Sequence, residues 1–152
     1  MQGFDSDFEV GPGYHRGTFS NDGLHARFSF AFGEWQDPAR QGFGPLRALN
    51  EDIVQPGTGF DMHGHRDLDI FMLPLAGAVE HRDSLGHLAR VGPGQVQRMF
   101  AGSGIRHSQM NASTTEIDHH LQIWLKPPRA GGRPPSRRAT STSSVSPASG
   151  VT

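Results

Sequence analysis

Cysteine is absent from the 152-residue chain, so no disulfide, thiolate metal ligand or thiol nucleophile is available. Long hydrophobic runs are absent too, and the first residues are acidic and polar, unlike a secretory signal. A soluble, cytoplasmic protein is therefore the expectation. No glycine-rich stretch joins a strand to a helix, which removes the phosphate-cradling nucleotide sites. No serine stands in a Ser-His-acid setting, which removes hydrolysis by a hydroxyl nucleophile. What the chain has in quantity is turn chemistry. With 20 Gly, 11 Pro and 34% hydrophobic residues it reads as a turn-rich β domain.

The formal charge of −1 conceals an asymmetry. Residues 1–125 hold nine Arg against fifteen Asp and Glu, a balance of −6, whereas residues 126–152 hold Lys126 and four Arg with no acid, +5. The basic end carries no aromatic or patterned surface, so nucleic acid is not an expected partner. After Trp124 the sequence turns to Pro127-Pro128, Gly131-Gly132, Pro134-Pro135 and Ser/Thr-rich stretches. Such a composition cannot bury enough apolar surface to order itself. The division expected is a domain over 1–126 and a disordered tail over 127–152.

Alternating apolar and polar side chains mark strands over Ala26–Phe32, Leu46–Val54 and Asp118–Lys126. Ala78–Arg82 and His87–Val91 flank Asp83-Ser84-Leu85-Gly86, a hairpin signal. Pro74 interrupts the apolar run Ile70–Leu75 and implies an edge or a bulge, because a strand interior cannot spare the amide hydrogen.

The chemistry concentrates in Gly57-Thr58-Gly59-Phe60-Asp61-Met62-His63-Gly64-His65-Arg66-Asp67-Leu68-Asp69. On an extended strand His63 and His65 share a face, and Asp67 and Asp69 share their parity. A second segment, Gly102-Ser103-Gly104-Ile105-Arg106-His107-Ser108-Gln109, places His107 and Gln109 on one face. Side by side, the two segments would bring three imidazoles together, a donor set for a first-row divalent metal. His15, His25, His81, His87, His119 and His120 are read as structural or surface residues. His81 is expected to be exposed beside its hairpin, and at most one of His119 and His120 can face inward. Asp67 is read as the ion-pair partner of Arg66.

The spacing Gly57-x5-His63-x-His65-x3-Asp69-x7-Gly77 resembles the first motif of the cupin superfamily, with Asp for Glu and a last gap one residue longer. His107-x3-Asn111 resembles the end of the second motif. Phe43-Gly44-Pro45-Leu46-Arg47, Asn50-Glu51-Asp52, His65-Arg66-Asp67, Glu80-His81-Arg82-Asp83-Ser84-Leu85-Gly86 and Leu121-Gln122-Ile123-Trp124 follow in an order that resembles the pirin family. Its bacterial quercetinase-like members are the nearest in pattern, over about Phe19 to Pro127.

That resemblance implies an all-β fold, a cupin-type jelly-roll β-barrel equivalent to the N-terminal half of a two-domain bicupin. It implies one divalent transition metal, iron foremost, with nickel, manganese, copper, cobalt or zinc as alternatives. His63, His65 and His107 would bind it, with Gln109 fourth, where the family usually has glutamate. Asp69 is the substitute carboxylate to consider, or else an acceptor that orients a ligand imidazole. The implied activity is a quercetin 2,3-dioxygenase-type oxygenation of a flavonol or similar aromatic molecule. It would be weakened here, because Gln109 occupies the catalytic position of the family's base. The alternatives are a non-enzymatic, metal-dependent regulator of the transcription co-regulator kind, and an inactive truncated fragment. A half-bicupin is also expected to associate, as a homodimer or as aggregates, through apolar surface that the second half normally covers.

Overall fold

The computed structural model describes residues 12–132 and 140–145. Eleven strands follow in order: β1 (Gly17–Ser20), β2 (Leu24–Phe28), β3 (Leu46–Val54), β4 (Gly59–His65), β5 (Asp69–Ala76), β6 (Val79–Asp83), β7 (Leu88–Val91), β8 (Gln95–Phe100), β9 (Ile105–Asn111), β10 (Asp118–Leu125) and β11 (Thr140–Ser144). They form two antiparallel sheets, ordered β1-β2-β3-β10-β5-β8-β11 and β4-β9-β6-β7. The molecule is the all-β jelly-roll barrel of cupin type. Among the described residues no helix is long and apolar enough to cross a membrane.

Alternation sets the interior. On β3, Ala48, Asn50, Asp52 and Val54 are buried while their neighbours are half-exposed. The same beat buries Ile105, His107, Gln109 and Asn111 on β9. Apolar packing holds one flank through Ile70, Met99, Ala101 and Ile105, with Trp124 against them, and another through Met72, Val79 and Val91. Hydrogen bonds also cross between the sheets: Asn111, the last residue of the second motif, donates its amide to the Val54 carbonyl at 3.0 Å and the Glu116 carbonyl at 2.8 Å. Gly77 sits at φ +70°, and a Cβ there would run into the Ile117 carbonyl, so the turn between β5 and β6 needs glycine.

Four sequence expectations change. The His63–Asp69 stretch is not one strand: β4 ends at His65, Asp67 takes a left-handed φ of +53°, and β5 begins at Asp69 in the other sheet. Asp67 does not pair with Arg66. It accepts from the Gly131 amide, and the Arg66 guanidinium donates to the Ser103 carbonyl. The strand expected over Ala26–Phe32 ends at Phe28. Finally, Thr140–Ser144 form β11 on the edge of β8, where the whole tail was expected to be disordered. Backbone pairing at an edge needs no apolar side chains, and short β-branched and hydroxyl residues suit it. The expectation for 133–139 and 146–152 lies outside the described residues. Pro74 fits its reading: the β5–β10 register slips next to it, and β5 pairs β8 only from Asp69 to Met72.

Candidate metal centre

Sheet register builds the site. β4 and β9 pair so that His63 lies directly opposite His107, and His65 opposite Ile105. An irregularity between Phe60 and His63 inserts the residue that lets Phe60, His63 and His65 all turn inward. The three rings then meet, His65 edge to face with both others and His63 tilted against His107, with centroids 4.5 Å apart for His63–His107, 4.8 Å for His63–His65 and 4.9 Å for His65–His107. One nitrogen from each lies within 4.8 Å of the others.

The tautomers follow from the surroundings. His63 Nδ1 is 2.6 Å from the Asp61 carbonyl, which only accepts, so Nδ1 carries the proton and Nε2 keeps its lone pair. His65 Nε2 and His107 Nε2 are buried with no hydrogen-bond partner. Buried polar atoms rarely go unpaired, and ring nitrogens that converge without hydrogen-bond partners are what a cation site presents. Burial first, then the neighbouring His63, holds the His65 pKa down to about 4. Burial, then His63, His81 and His65, lower that of His107 to about 2. Both rings are neutral at pH 7, the state that coordinates.

Gln109 is buried two residues beyond His107, and its amide nitrogen donates to Met72 Sδ at 3.6 Å. It borders a cavity of about 510 Å³ together with His63 and His65. The remaining wall is largely apolar, with Phe28, Phe32, Trp35, Phe60 and Trp124 among its aromatic residues, and its polar points include Glu34, Asn50, Asp52 and Gln122. Asp69 is not part of the imidazole group. It opens β5 in the opposite sheet, and burial raises its pKa.

Two buried features escaped the sequence reading. His81 is fully buried rather than exposed, because it alternates with Val79 and Asp83 on the inner face of β6. Its Nδ1 lies 3.3 Å from His107 Nδ1. His120, also buried, donates from Nδ1 to Asp118 at 2.8 Å and lies 3.4 Å from Asp52 through Nε2. Burial alone would lower its pKa, but the hydrogen bonds and charges of Asp118 and Asp52 outweigh burial and push it up to about 9. His119 faces outward to Glu51 at 3.0 Å. The signal for both features was parity: His81 with Asp83, and Asp118 with His120. The partner Asp52 comes from the β3–β10 register.

The pirin family model matches residues 13–125. A quercetin 2,3-dioxygenase of Escherichia coli K12 is 42% identical over 119 residues, covering 78% of this chain and 52% of that protein. A putative quercetin 2,3-dioxygenase of Pseudomonas aeruginosa is 45% identical over 113 residues, covering 73% and 47%. The crystal structure of YhhW from Escherichia coli superposes with a TM-score of 0.85 at 37% identity, covering 91% of this chain and 58% of that one. The bacterial pirin YhhW in complex with nickel(II) gives 0.82 at 37%, covering 88% and 56%. The chain spans about half the length of these relatives. The family model over residues 13–125, together with the motifs and the barrel, shows that this chain belongs to the pirin family.

Proposed function

We propose that His63, His65 and His107 bind one divalent transition metal through their Nε2 atoms, with the Gln109 amide oxygen as fourth donor. The observation that carries this is the convergence of three ring nitrogens, two of them buried and unpartnered. The cavity beside them fits a flat aromatic substrate, and we assign it a flavonol-type molecule, in line with the names of the relatives. A bound metal would supply Lewis acidity and open positions for oxygen chemistry.

The chain's own residues set the rest. The Asp61 carbonyl fixes the His63 tautomer. Trp124, 4.9 Å from His65, braces that ring against the cavity wall. Gln109 cannot take a proton near neutral pH, so the residue two positions beyond His107 supplies no base, and the carboxylates on the cavity wall are Glu34 and Asp52. Losing a positioned base costs about 10²–10⁴-fold in rate. The reading is therefore a metal-binding pirin with weak quercetinase-type activity. The same Gln109 favours a second reading, a metal-dependent regulator that needs no base. Elemental analysis with steady-state flavonol loss separates them. Metal bound with slow turnover that His63→Ala abolishes supports the first; metal bound without turnover supports the second.

A further inference from the structure

Behind the first site lies a second group of donors. His81, Asp83 and His87 each present an atom within 4.8 Å of the others. His81 Nε2 and His87 Nδ1 are both buried with no hydrogen-bond partner, and the His81 side chain has no exposed surface. Asp83 Oδ2 is 3.8 Å from His81 Nε2, too far for a hydrogen bond. Donors about 2.0–2.1 Å from a tetrahedral zinc lie about 3.3 Å apart, so a shift of a few tenths of an ångström would close the pair around a cation.

The frame that holds these donors is already built. Asp83 Oδ1 accepts from the Leu85 amide at 2.9 Å and the His87 amide at 3.0 Å, fixing the turn that carries His87. The Ser84 amide ties the same turn to the Arg106 carbonyl at 2.8 Å. Burial, partly offset by Asp83, lowers the His81 pKa to about 4, so its ring is neutral at pH 7 and the close approach to Asp83 is not an ion pair.

The two groups touch through the 3.3 Å contact between His81 Nδ1 and His107 Nδ1. A neutral imidazole has one N–H, and this contact needs one proton between two nitrogens. If His107 holds it, His107 Nε2 is free for the first site and His81 Nε2 carries hydrogen. If His81 holds it, the assignment reverses.

We propose that His81, Asp83 and His87 form a second divalent-cation site, zinc or cobalt(II) in chemistry, that competes with the first site for one shared proton. The second site stands on its own donors; only the competition rests on the function proposed for the first.

The test is cobalt(II) titration of the full chain, read by its visible d–d bands and by elemental count after dialysis. The arms are wild type, His63→Ala, His87→Ala and the double variant, with circular dichroism to verify folding and His65→Gln in place of His63→Ala if that variant is unfolded. We expect His63→Ala to keep one cobalt ion, and His87→Ala in that background to weaken its binding at least about tenfold. No ion in folded His63→Ala, or an ion indifferent to His87→Ala, would overturn the second site. We also expect that ion to bind at least about tenfold more tightly in His63→Ala than the second ion does in wild type. Equal affinities would overturn the competition. An ion in His63→Ala with none in His87→Ala would uphold the second site and sink the first.

Discussion

His107 and His81 press their Nδ1 atoms to within 3.3 Å of each other, and neither ring has more than 1% of its surface exposed. One residue is a proposed metal ligand and the other is its support. With Nε2 of His107 on a cation, its Nδ1–H donates to His81, which fixes ring orientation and raises basicity. His81→Ala should weaken divalent-metal binding at the first site by about 10–100-fold, while His81→Gln, which keeps an acceptor, recovers part of it. Chelator competition reads the change; equal affinity in all three proteins would show that the contact does not support coordination.

Gln109→Glu should bind the metal more tightly. Three neutral imidazoles and an amide leave a divalent ion at net +2, whereas a carboxylate brings it to +1, and uncompensated charge is costly in a desolvated barrel. The same change should restore part of the 10²–10⁴-fold in flavonol turnover that a positioned base provides, to order of magnitude. Unchanged affinity would put residue 109 outside the coordination sphere.

His120 makes stability depend on pH in the alkaline direction. Its folded pKa of about 9 lies above the unfolded value of 6.5, so its contribution is complete below pH 6.5 and is lost as pH rises through about 9. The amount at stake is on the order of 3 kcal/mol. Urea midpoints at pH 6, 8 and 10 should fall in that order, and His120→Leu should flatten the trend. A wild-type midpoint that does not move would mean that the ring is neutral.

Gly77→Ala should destabilise the fold by about 1–3 kcal/mol, because the position combines a left-handed φ with a carbonyl in the way of Cβ. Denaturant unfolding measures it directly, and a variant as stable as wild type would show that the turn relaxes.

The sequence made the imidazole centre legible because His63, His65 and His107 obey a two-residue period and a motif spacing, both local properties. Asp67 and Asp69 obey the same period, but the chain breaks it at Asp67, where a left-handed φ sends the next strand into the other sheet. A period cannot reveal its own interruption. His81 was misjudged from its place beside a hairpin, although its parity with Val79 and Asp83 decides burial. The His120–Asp52 pair depends on the register between β3 and β10, which joins residues 68 apart and leaves no local mark. Pro74 was the opposite case, since its missing N–H announced the irregularity found beside it.

The central claim, that three Nε2 atoms share one metal, is tested most directly by long-range 1H–15N correlation spectra of the imidazoles during zinc titration. The account predicts that the first equivalent shifts the Nε2 resonances of His63, His65 and His107 together, leaving His63 and His107 protonated at Nδ1. If those three rings stay unchanged through the first equivalent, or if His107 Nε2 carries a proton in the zinc-loaded protein, the account is wrong.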